Sequence, residues 1–339
     1  MNILILGLGS IGQRHLRNLK KISPKTNIFA LRKKYLTPML NNNNRIIKGD
    51  LKKKYSLKYI NNLNEIKKKK LIIDAALICT PSSHHVTQAI WLIKNNIHCF
   101  VEKPLGSSSK NILKLKKLLI RKPKLITMMG FQLRFNPIIH YIEKILRNSP
   151  IGKIHFINIH HGEHVEDFHP YEDYKISYAS KKKLGGGVML SQIHEIDYFL
   201  YLFKSYKIKK INSLNSKISN LKIDVEDIFS SIFVLKKNNQ KIFCTINLNF
   251  FERPKKRKIY LVGSMGSIKI CLNSQKVEIY KNKIKYIKNF NFNRNDIFKK
   301  ELKFFLKCIQ KKKKISDDMN LFNGIKTLNF VLKLKKKSI

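Results

Sequence analysis

The sequence predicts an α/β protein: a doubly wound parallel sheet at the N-terminus, then an α+β domain built on a largely antiparallel sheet. Three observations carry this. Residues 2–6, NILIL, form a short apolar run without alternation, the mark of a strand buried on both faces. Three glycines, Gly7, Gly9 and Gly12, separate that run from a segment whose Leu16, Leu19 and Ile22 recur at helical spacing until Pro24 ends it. After about residue 135 the alternation of strand and helix gives way to strands with few helices between them.

In the first part, residues 27–31, 71–79, 97–101 and 125–130 read as further strands. The stretch holding Val86, Ala89, Ile90 and Ile93, and residues 112–120, read as helices. In the second part, strands are expected over 153–161, 208–218, 228–235, 241–250, 257–262 and 267–271, with Gly263 and Gly266 marking a hairpin turn. Helices are expected over 137–148, 188–203, 296–311 and 319–335. No internal repeat is present. The division falls after residue 125, giving domains 1–125 and 126–339.

A chain of 339 residues, 43% of them apolar, suits two packed cores. No apolar run reaches the roughly 18 residues of a membrane span, and the N-terminus has no basic region before its apolar stretch, so no signal peptide and no membrane partner are expected. Cys79, Cys99, Cys244, Cys271 and Cys308 are scattered and contain no CxxC pair, which reads as reduced thiols in a cytoplasmic protein. The net charge of +48 raises nucleic acid as a partner. The lysines, however, run the whole length in company with Asn and Ile, as in Asn41–Asn44, and all three residue types have A/T-rich codons. Compositional drift onto a solvated surface accounts for them together, and no helix-turn-helix, zinc finger or RNA-binding motif is present, so no specific nucleic acid is expected.

The three glycines fit G-x-G-x-x-G between a strand and a helix, the pattern that binds a dinucleotide. The first permits a tight turn, the second lets a diphosphate approach the backbone, and the third lets helix and strand pack closely. The helix start adds unpaired N–H groups and a positive dipole end. Gly7, Gly9, Ser10, Ile11 and Gly12 are therefore candidate cofactor contacts. About twenty residues beyond, where Asp or Glu would hold an adenosine ribose, stands Leu31-Arg32-Lys33-Lys34. Arg32 suits the 2′-phosphate of NADP, so NADP is favoured slightly over NAD.

With Glu102-Lys103-Pro104 added, the sequence resembles the Gfo/Idh/MocA family of oxidoreductases over nearly its whole length. "GLGSIGQRHL" resembles the cofactor loop, "CTPSSHH" the TP-x-x-x-H stretch, and "VEKPLGSS" the family's most diagnostic motif. "MGFQLRFNP" resembles the passage into the second domain, "GGGVMLSQIHEIDY" the active-site helix, and "GSMGSI" and "KISDDMN" the closing pattern. The resemblance implies a Rossmann domain followed by a domain with an open sheet. It implies NAD(P)-dependent oxidation or reduction at a carbon of a sugar, sugar nucleotide or related polyol. A homodimer or homotetramer assembled through the open sheet face is expected.

It also implies roles for particular residues. Thr80, Pro81, His85, Glu102 and Lys103 join the cofactor contacts. Lys103 follows a parallel strand, at the edge where open α/β sheets build their crevice, and by family analogy its ammonium orients the substrate hydroxyl and stabilises charge on oxygen. His194 follows Gly185-Gly186-Gly187 on a helix whose Leu190, Ile193 and Leu200 face a core, and by the same analogy is the acid–base group. Many relatives carry Asp one turn earlier. Here Leu190 and Ser191 stand there and the spacing is one residue short, so Ser191, Gln192 or Glu195 is a candidate for the proton relay, and Asp197 for orienting the imidazole. A cofactor-binding regulator without catalysis is the alternative function this irregularity raises.

The segment 160–174, HHGEHVEDFHPYEDY, gathers His160, His161, Glu163, His164 and Asp167. Its spacing fits no standard metal pattern, so no metal is expected and a loop that hydrogen-bonds a polyhydroxylated substrate is the preferred reading. It looks like the corresponding stretch of relatives in nonulosonic-acid and sugar-nucleotide pathways. Arg134, Asn136, Tyr178 and Asp197 are candidate substrate contacts. Arg134 either grips a carboxylate or phosphate bidentately or anchors the turn before Pro137.

Overall fold

The first strand pairs in parallel on both sides, with Ile3 to Leu6 opposite Ile28 to Leu31 and opposite Ala75 to Ile78. A computed structural model describes residues 1–31 and 38–336 of the protein; Arg32 lies outside these. The chain divides into two compact units, one of Met1–Gln132, His169–Asp173 and Arg294–Leu328, the other of Leu133–Phe168, Tyr174–Asn293 and Asn329–Ile339.

The first unit runs β1 (Asn2–Leu6), α1 (Ser10–Ile22), β2 (Asn27–Leu31), α2 (Leu51–Tyr55), β3 (Lys58–Ile60), α3 (Leu63–Lys68), β4 (Ala75–Ile78), α4 (His85–Lys94), β5 (His98–Glu102), α5 (Ile112–Arg121) and β6 (Thr127–Gly130). Its six strands are ordered β3-β2-β1-β4-β5-β6 and all pair in parallel. Reversal of strand order about β1 puts the ends of β1 and β4 at the switch point of a doubly wound sheet, where such folds bind ligands. The strand expected over 71–79 is only Ala75–Ile78. The short α2, β3 and α3 lie in the polar stretch, where Lys and Asn hide the apolar period that Leu51, Ile60 and Ile66 supply by burial. The segment 294–328 belongs here because polar groups tie it in: Asn295 Oδ1 accepts from Arg14 Nη1 at 3.1 Å and Asn18 Nδ2 at 3.2 Å, and Met129 N–H donates to Met319 O at 3.0 Å. The Asn295 pairings bridge most of the chain and the Met129–Met319 pairing more than half of it, and neither leaves a local signal.

The second unit holds α6 (Pro137–Asn148), β7 (Ile154–Gly162), α7 (Val188–Ser191), α8 (His194–Leu202), β8 (Lys207–Ser216), β9 (Ile228–Lys237), β10 (Gln240–Asn249), β11 (Lys256–Gly263), β12 (Gly266–Cys271), β13 (Lys276–Lys281) and β14 (Ile284–Asn289); α9 (Arg294–Gln310) and α10 (Leu321–Lys336) follow. Its eight strands are ordered β14-β13-β12-β11-β7-β10-β9-β8, antiparallel except between β7 and β10. The expected turn at Gly263 and Gly266 joins β11 to β12. The lysine-rich β13 and β14 escape the sequence reading because β14 is exposed throughout and β13 buries only Val277 fully. Alternation sends Phe229, Phe233, Ile242, Cys244 and Ile246 inward, where Phe199 of α8 meets Phe233 edge-on at 5.0 Å. The opposite face shows Phe243, 58% exposed, and Ile232, 55% exposed.

The helix expected over 188–203 is broken. α7 ends at Ser191, and α8 starts at His194 after Gln192 and Ile193. Gly187, at φ +105°, lies so close to Glu226 that an added Cβ would overlap its carboxylate, and one on Gly186 would meet Ala179 O at 2.4 Å. All five cysteines are free thiols. Among the described residues no helix is long and apolar enough to cross a membrane.

Candidate active site

Steric geometry assigns each glycine of the first turn a different task. Gly7 has φ +91°, and an added Cβ would meet Cys79 O at 2.8 Å. On Gly12 an added Cβ would lie 2.0 Å from Gly7 O, so α1 can pack on β1 only with glycine there. On Gly9 an added Cβ meets nothing within 4 Å. Gly9 caps α1 without a side-chain acceptor, and the first turn carries no acidic residue. Open space beside a helix start fits the diphosphate of a dinucleotide, with the backbone of Gly9, Ser10 and Ile11 as the cradle.

Polar residues on the buried side of α1 hold the surroundings. Gln13 Nε2 donates to Leu8 O and Pro38 O at 3.2 and 2.8 Å, and its Oε1 accepts from Leu40 N–H at 2.8 Å. His15 Nε2 stands 2.7 Å from Glu102 Oε1. The other strand ends contribute two loops. Thr80 Oγ1 donates to Gln88 Oε1 at 2.7 Å. His85 Nδ1 is 2.7 Å from Pro104 O and its Nε2 is 2.7 Å from Thr80 O. Burial lowers the His85 pKa below the usual imidazole range, opposed by those carbonyls and by Glu102. Lys103 follows β5 directly, on the same carboxyl edge as the glycine turn and with only β4 between their strands.

In the second unit, His194 is the buried first residue of α8. The neighbouring candidates already have partners. Glu195, fully buried, accepts from Arg257 Nε at 2.5 Å and approaches His161 Nδ1 at 3.1 Å. Burial acts to raise its carboxyl pKa, but Arg257 and His161 outweigh that and hold it well below the carboxylate range. Gln192 Nε2 donates to Asn249 O at 2.9 Å. Asp197 takes both arms of Arg134, from Nε at 2.7 Å and Nη2 at 2.8 Å, while the guanidinium lies 4.0 Å from the Tyr201 ring centre. Of the two readings of Arg134, the internal anchor matches these contacts, and its bidentate partner is Asp197. Asn136 Oδ1 accepts from Ile138 N–H at 2.8 Å and caps α6. Tyr178 sits half-buried in a short 3₁₀ turn, Tyr178–Ser180.

The His- and acid-rich segment is split among separate carboxylate pairs. His160 lies 2.6 Å from Glu252, His161 3.4 Å from Glu163, and Arg253 bridges Glu166 and Asp167 at 2.8 and 3.0 Å. Among the described residues no three His, Cys, Asp or Glu side chains converge as metal ligands would. Lys255 Nζ meets Glu163 at 2.7 Å. Burial pushes Glu163 up, but the His161 hydrogen bond and the Lys255 charge bring it down to about 2. The roles of His15 and Arg257 went unread in the sequence, and His161, read there as part of a substrate-binding loop, lies against Glu163 and Glu195. The available signal was Gln13-Arg14-His15 on the side of α1 that must face the core.

A parallel sheet with a glycine turn after its first strand is the architecture of a dinucleotide-binding domain, the class of nicotinamide-dependent oxidoreductases. Residues 1–131 match the oxidoreductase family with NAD-binding Rossmann fold, and residues 139–269 match the GFO/IDH/MocA C-terminal domain. The chain belongs to the Gfo/Idh/MocA family. It is 25% identical over 272 residues to myo-inositol 2-dehydrogenase of Thermotoga maritima, covering 79% of this chain and 74% of that one. The fold matches scyllo-inositol dehydrogenase of Lactobacillus casei with bound NAD(H) and scyllo-inositol, with TM-score 0.75, 18% identity, and coverage of 100% and 96%. It also matches UDP-N-acetylglucosamine 3-dehydrogenase of Acidithiobacillus ferrooxidans, with TM-score 0.75, 16% identity, and coverage of 100% and 97%.

Two outcomes follow from this geometry. Gly9→Val fills open space, so thermal unfolding stays within about 0.5 kcal/mol of wild type while calorimetry shows cofactor affinity reduced at least about tenfold; Gly12→Val instead costs about 2 kcal/mol or more of stability by overlap with Gly7 O. Glu163 is shifted down from an ordinary 4.5 to about 2, so its contribution is full above pH 4.5 and is lost as pH falls towards 2. Urea midpoints should be flat above about pH 5 and fall below it, with about 3 kcal/mol from this carboxylate, and Lys255→Gln should shrink that fall.

Proposed function

We propose that the protein is a dehydrogenase of a sugar, sugar nucleotide or related polyol, with Lys103 and His194 as its working side chains. The observation that carries this reading is the shared carboxyl edge of the first sheet: the glycine turn after β1 and Lys103 after β5 lie at one end of the same unit. The bound nicotinamide supplies a hydride acceptor or donor. Gly7, Gly9, Ser10, Ile11 and Gly12 hold its diphosphate, with Thr80 and Pro81 on the adjoining loop. The Lys103 ammonium donates a hydrogen bond to the substrate oxygen and stabilises negative charge as it develops there. A ring nitrogen of His194 takes the hydroxyl proton, or returns it in the reverse direction. Arg32 pairs with a 2′-phosphate, which favours NADP. The inositol and UDP-N-acetylglucosamine dehydrogenases among the similar proteins support a polyhydroxylated substrate.

We further propose assembly into a dimer or tetramer through the outer face of the eight-stranded sheet. Val234, Phe243, Phe156 and Val262 stand opposite one another on successive strands there and form a continuous apolar row.

With a polyol and sugar-nucleotide panel followed at 340 nm, Lys103→Met should lower kcat by about 10²–10³ and His194→Ala by about 10²–10⁴, with cofactor affinity nearly unchanged. Cofactor binding without turnover of any panel member would instead favour a regulator. Arg32→Asp should move the NADP/NAD preference towards NAD, and an unchanged ratio removes Arg32 from the site. Light scattering should show Phe243→Glu as a monomer of 39.8 kDa, against a multiple of that mass for wild type.

A further inference from the structure

Two buried histidines meet the chain on either side of Lys103. On the N-terminal side, His15 is fully enclosed, edge-on to Phe100 at 5.1 Å and Phe298 at 6.2 Å. Its Nε2 lies 2.7 Å from Glu102 Oε1, and the other oxygen of that buried carboxylate accepts the Lys103 backbone N–H at 3.1 Å. Gly130, paired with Glu102 across β5 and β6, closes the side: an added Cβ would stand 3.1 Å from Glu102 Cα. On the C-terminal side, His85 is 1% exposed and reaches Pro104 O through Nδ1 and Thr80 O through Nε2, both at 2.7 Å. Carbonyl oxygens only accept and a neutral imidazole carries a single N–H, so the tautomer sets which of the two carbonyls His85 donates to, and the tautomer with Nδ1–H ties it to Pro104 O.

We propose that His15, acting through Glu102, and His85, acting through the Pro104 carbonyl, are positioning residues that together set the backbone of Lys103. His15 belongs to α1, the helix whose start cradles the diphosphate, and the His85 ring stands between the Pro104 and Thr80 carbonyls, 2.7 Å from each. The two histidines therefore tie the glycine turn, the Thr80–Pro81 loop and the Lys103–Pro104 loop into one frame. His85, which the resemblance placed among the cofactor contacts, turns both ring nitrogens to carbonyls of the chain, and His15 is fully enclosed. Their effect is to set the Cα from which the Lys103 ammonium extends. Such placement matters for rate, since a displacement of about 1 Å at the reacting atoms costs about 10²-fold.

This inference deepens the dehydrogenase reading, because it takes Lys103 as the working cation. The test uses full-length protein with His15→Gln, His85→Gln, Glu102→Gln and Glu102→Leu. In cofactor-free protein, amide hydrogen exchange at residue 103 should quicken by about tenfold in both histidine variants while the Phe100 and Val101 amides keep their wild-type rates. Calorimetry should still count one nicotinamide cofactor per chain. On a substrate that wild type turns over, kcat should fall at least about tenfold with KM within about threefold. Glu102→Gln, which keeps an acceptor for the Lys103 N–H, should retain more of kcat than Glu102→Leu. Wild-type exchange at residue 103, or undiminished kcat, in folded histidine variants overturns the proposal. If a histidine variant does not fold, the Glu102→Gln and Glu102→Leu pair decides by the same two readouts, equal exchange and equal kcat overturning it. Failure of wild type to bind either nicotinamide cofactor would strike the dehydrogenase reading, and the exchange comparison would still decide the clamp.

Discussion

The first unit depends on a glycine-only approach of α1 to the turn it follows. Gly12 admits no Cβ against Gly7 O, and Gly7 admits none against Cys79 O. Backbone from the ends of β1, α1 and β4 thus comes together at positions that admit no side chain on Gly7 or Gly12. That contact places the positive end of α1 at the switch point of the sheet. It also leaves Gly9 facing open space, so tight packing on one side and vacancy on the other come from a single turn. A helix of 13 residues, Ser10–Ile22, is long enough to sustain its dipole, and its buried polar face is fastened by Gln13, Arg14, His15 and Asn18. Those side chains fix the helix more firmly than apolar contact alone, because each bond has one direction and one length.

Much of this could be read from the residues before any geometry. The strand–glycine–helix pattern named the cofactor turn, and the order of apolar runs named a parallel sheet. The hairpin at Gly263 and Gly266 and the helix over 137–148 were legible for the same reason, since period and turn chemistry are local. What escaped was long-range or masked by lysine. Asn295 returning to Asn18 crosses most of the chain and has no periodic signature. The strand β14 is exposed throughout, so no alternation betrays it. The break between α7 and α8 was hidden because Gln192 and Ile193 are ordinary helix residues, and only the crowding around Gly186 and Gly187 starts the first piece where it does. For the site, motif position pointed to Lys103 and His194, while the partners of Glu195, Asp197 and Arg134 became visible only when β7, β11 and α8 were in place.

The second unit carries its charges in an arrangement that burial makes costly to disturb. Arg257, Glu195, His161, Glu163 and Lys255 form a connected chain of contacts in which the two carboxylates are each held by a basic side chain. A buried ion pair adds little net stability against a well-packed apolar pair, but losing one member leaves the other charge stranded. The chain of contacts joins β7, β11 and the first turn of α8, the turn that presents His194. Arg134 and Asp197 add a second pair three residues further along the same helix. Both pairs hold α8 by directional contacts, where apolar packing of Phe199 on Phe233 alone would tolerate sliding.

The imbalance of 69 basic to 21 acidic residues sharpens the meaning of every carboxylate. A chain drifting towards lysine can surrender surface acids freely, because an exposed ion pair contributes at most about 1 kcal/mol. It cannot surrender an acid that satisfies buried donors. The acids fully or nearly buried here are Glu102, Glu195, Asp197, Glu226, Asp227 and Glu301. Each of the first five has a defined partner: His15 and the Lys103 N–H for Glu102, Arg257 for Glu195, Arg134 for Asp197, Lys335 for Glu226, and the Ile218 and Ser219 N–H groups for Asp227. Three of those five stand beside or within the motifs of the candidate site. Scarcity of acid therefore acts as a filter, and Glu102 passes it for the same physical reason as Glu195: an oriented cation or donor already sits in the interior, and removing the carboxylate would leave it unpaired.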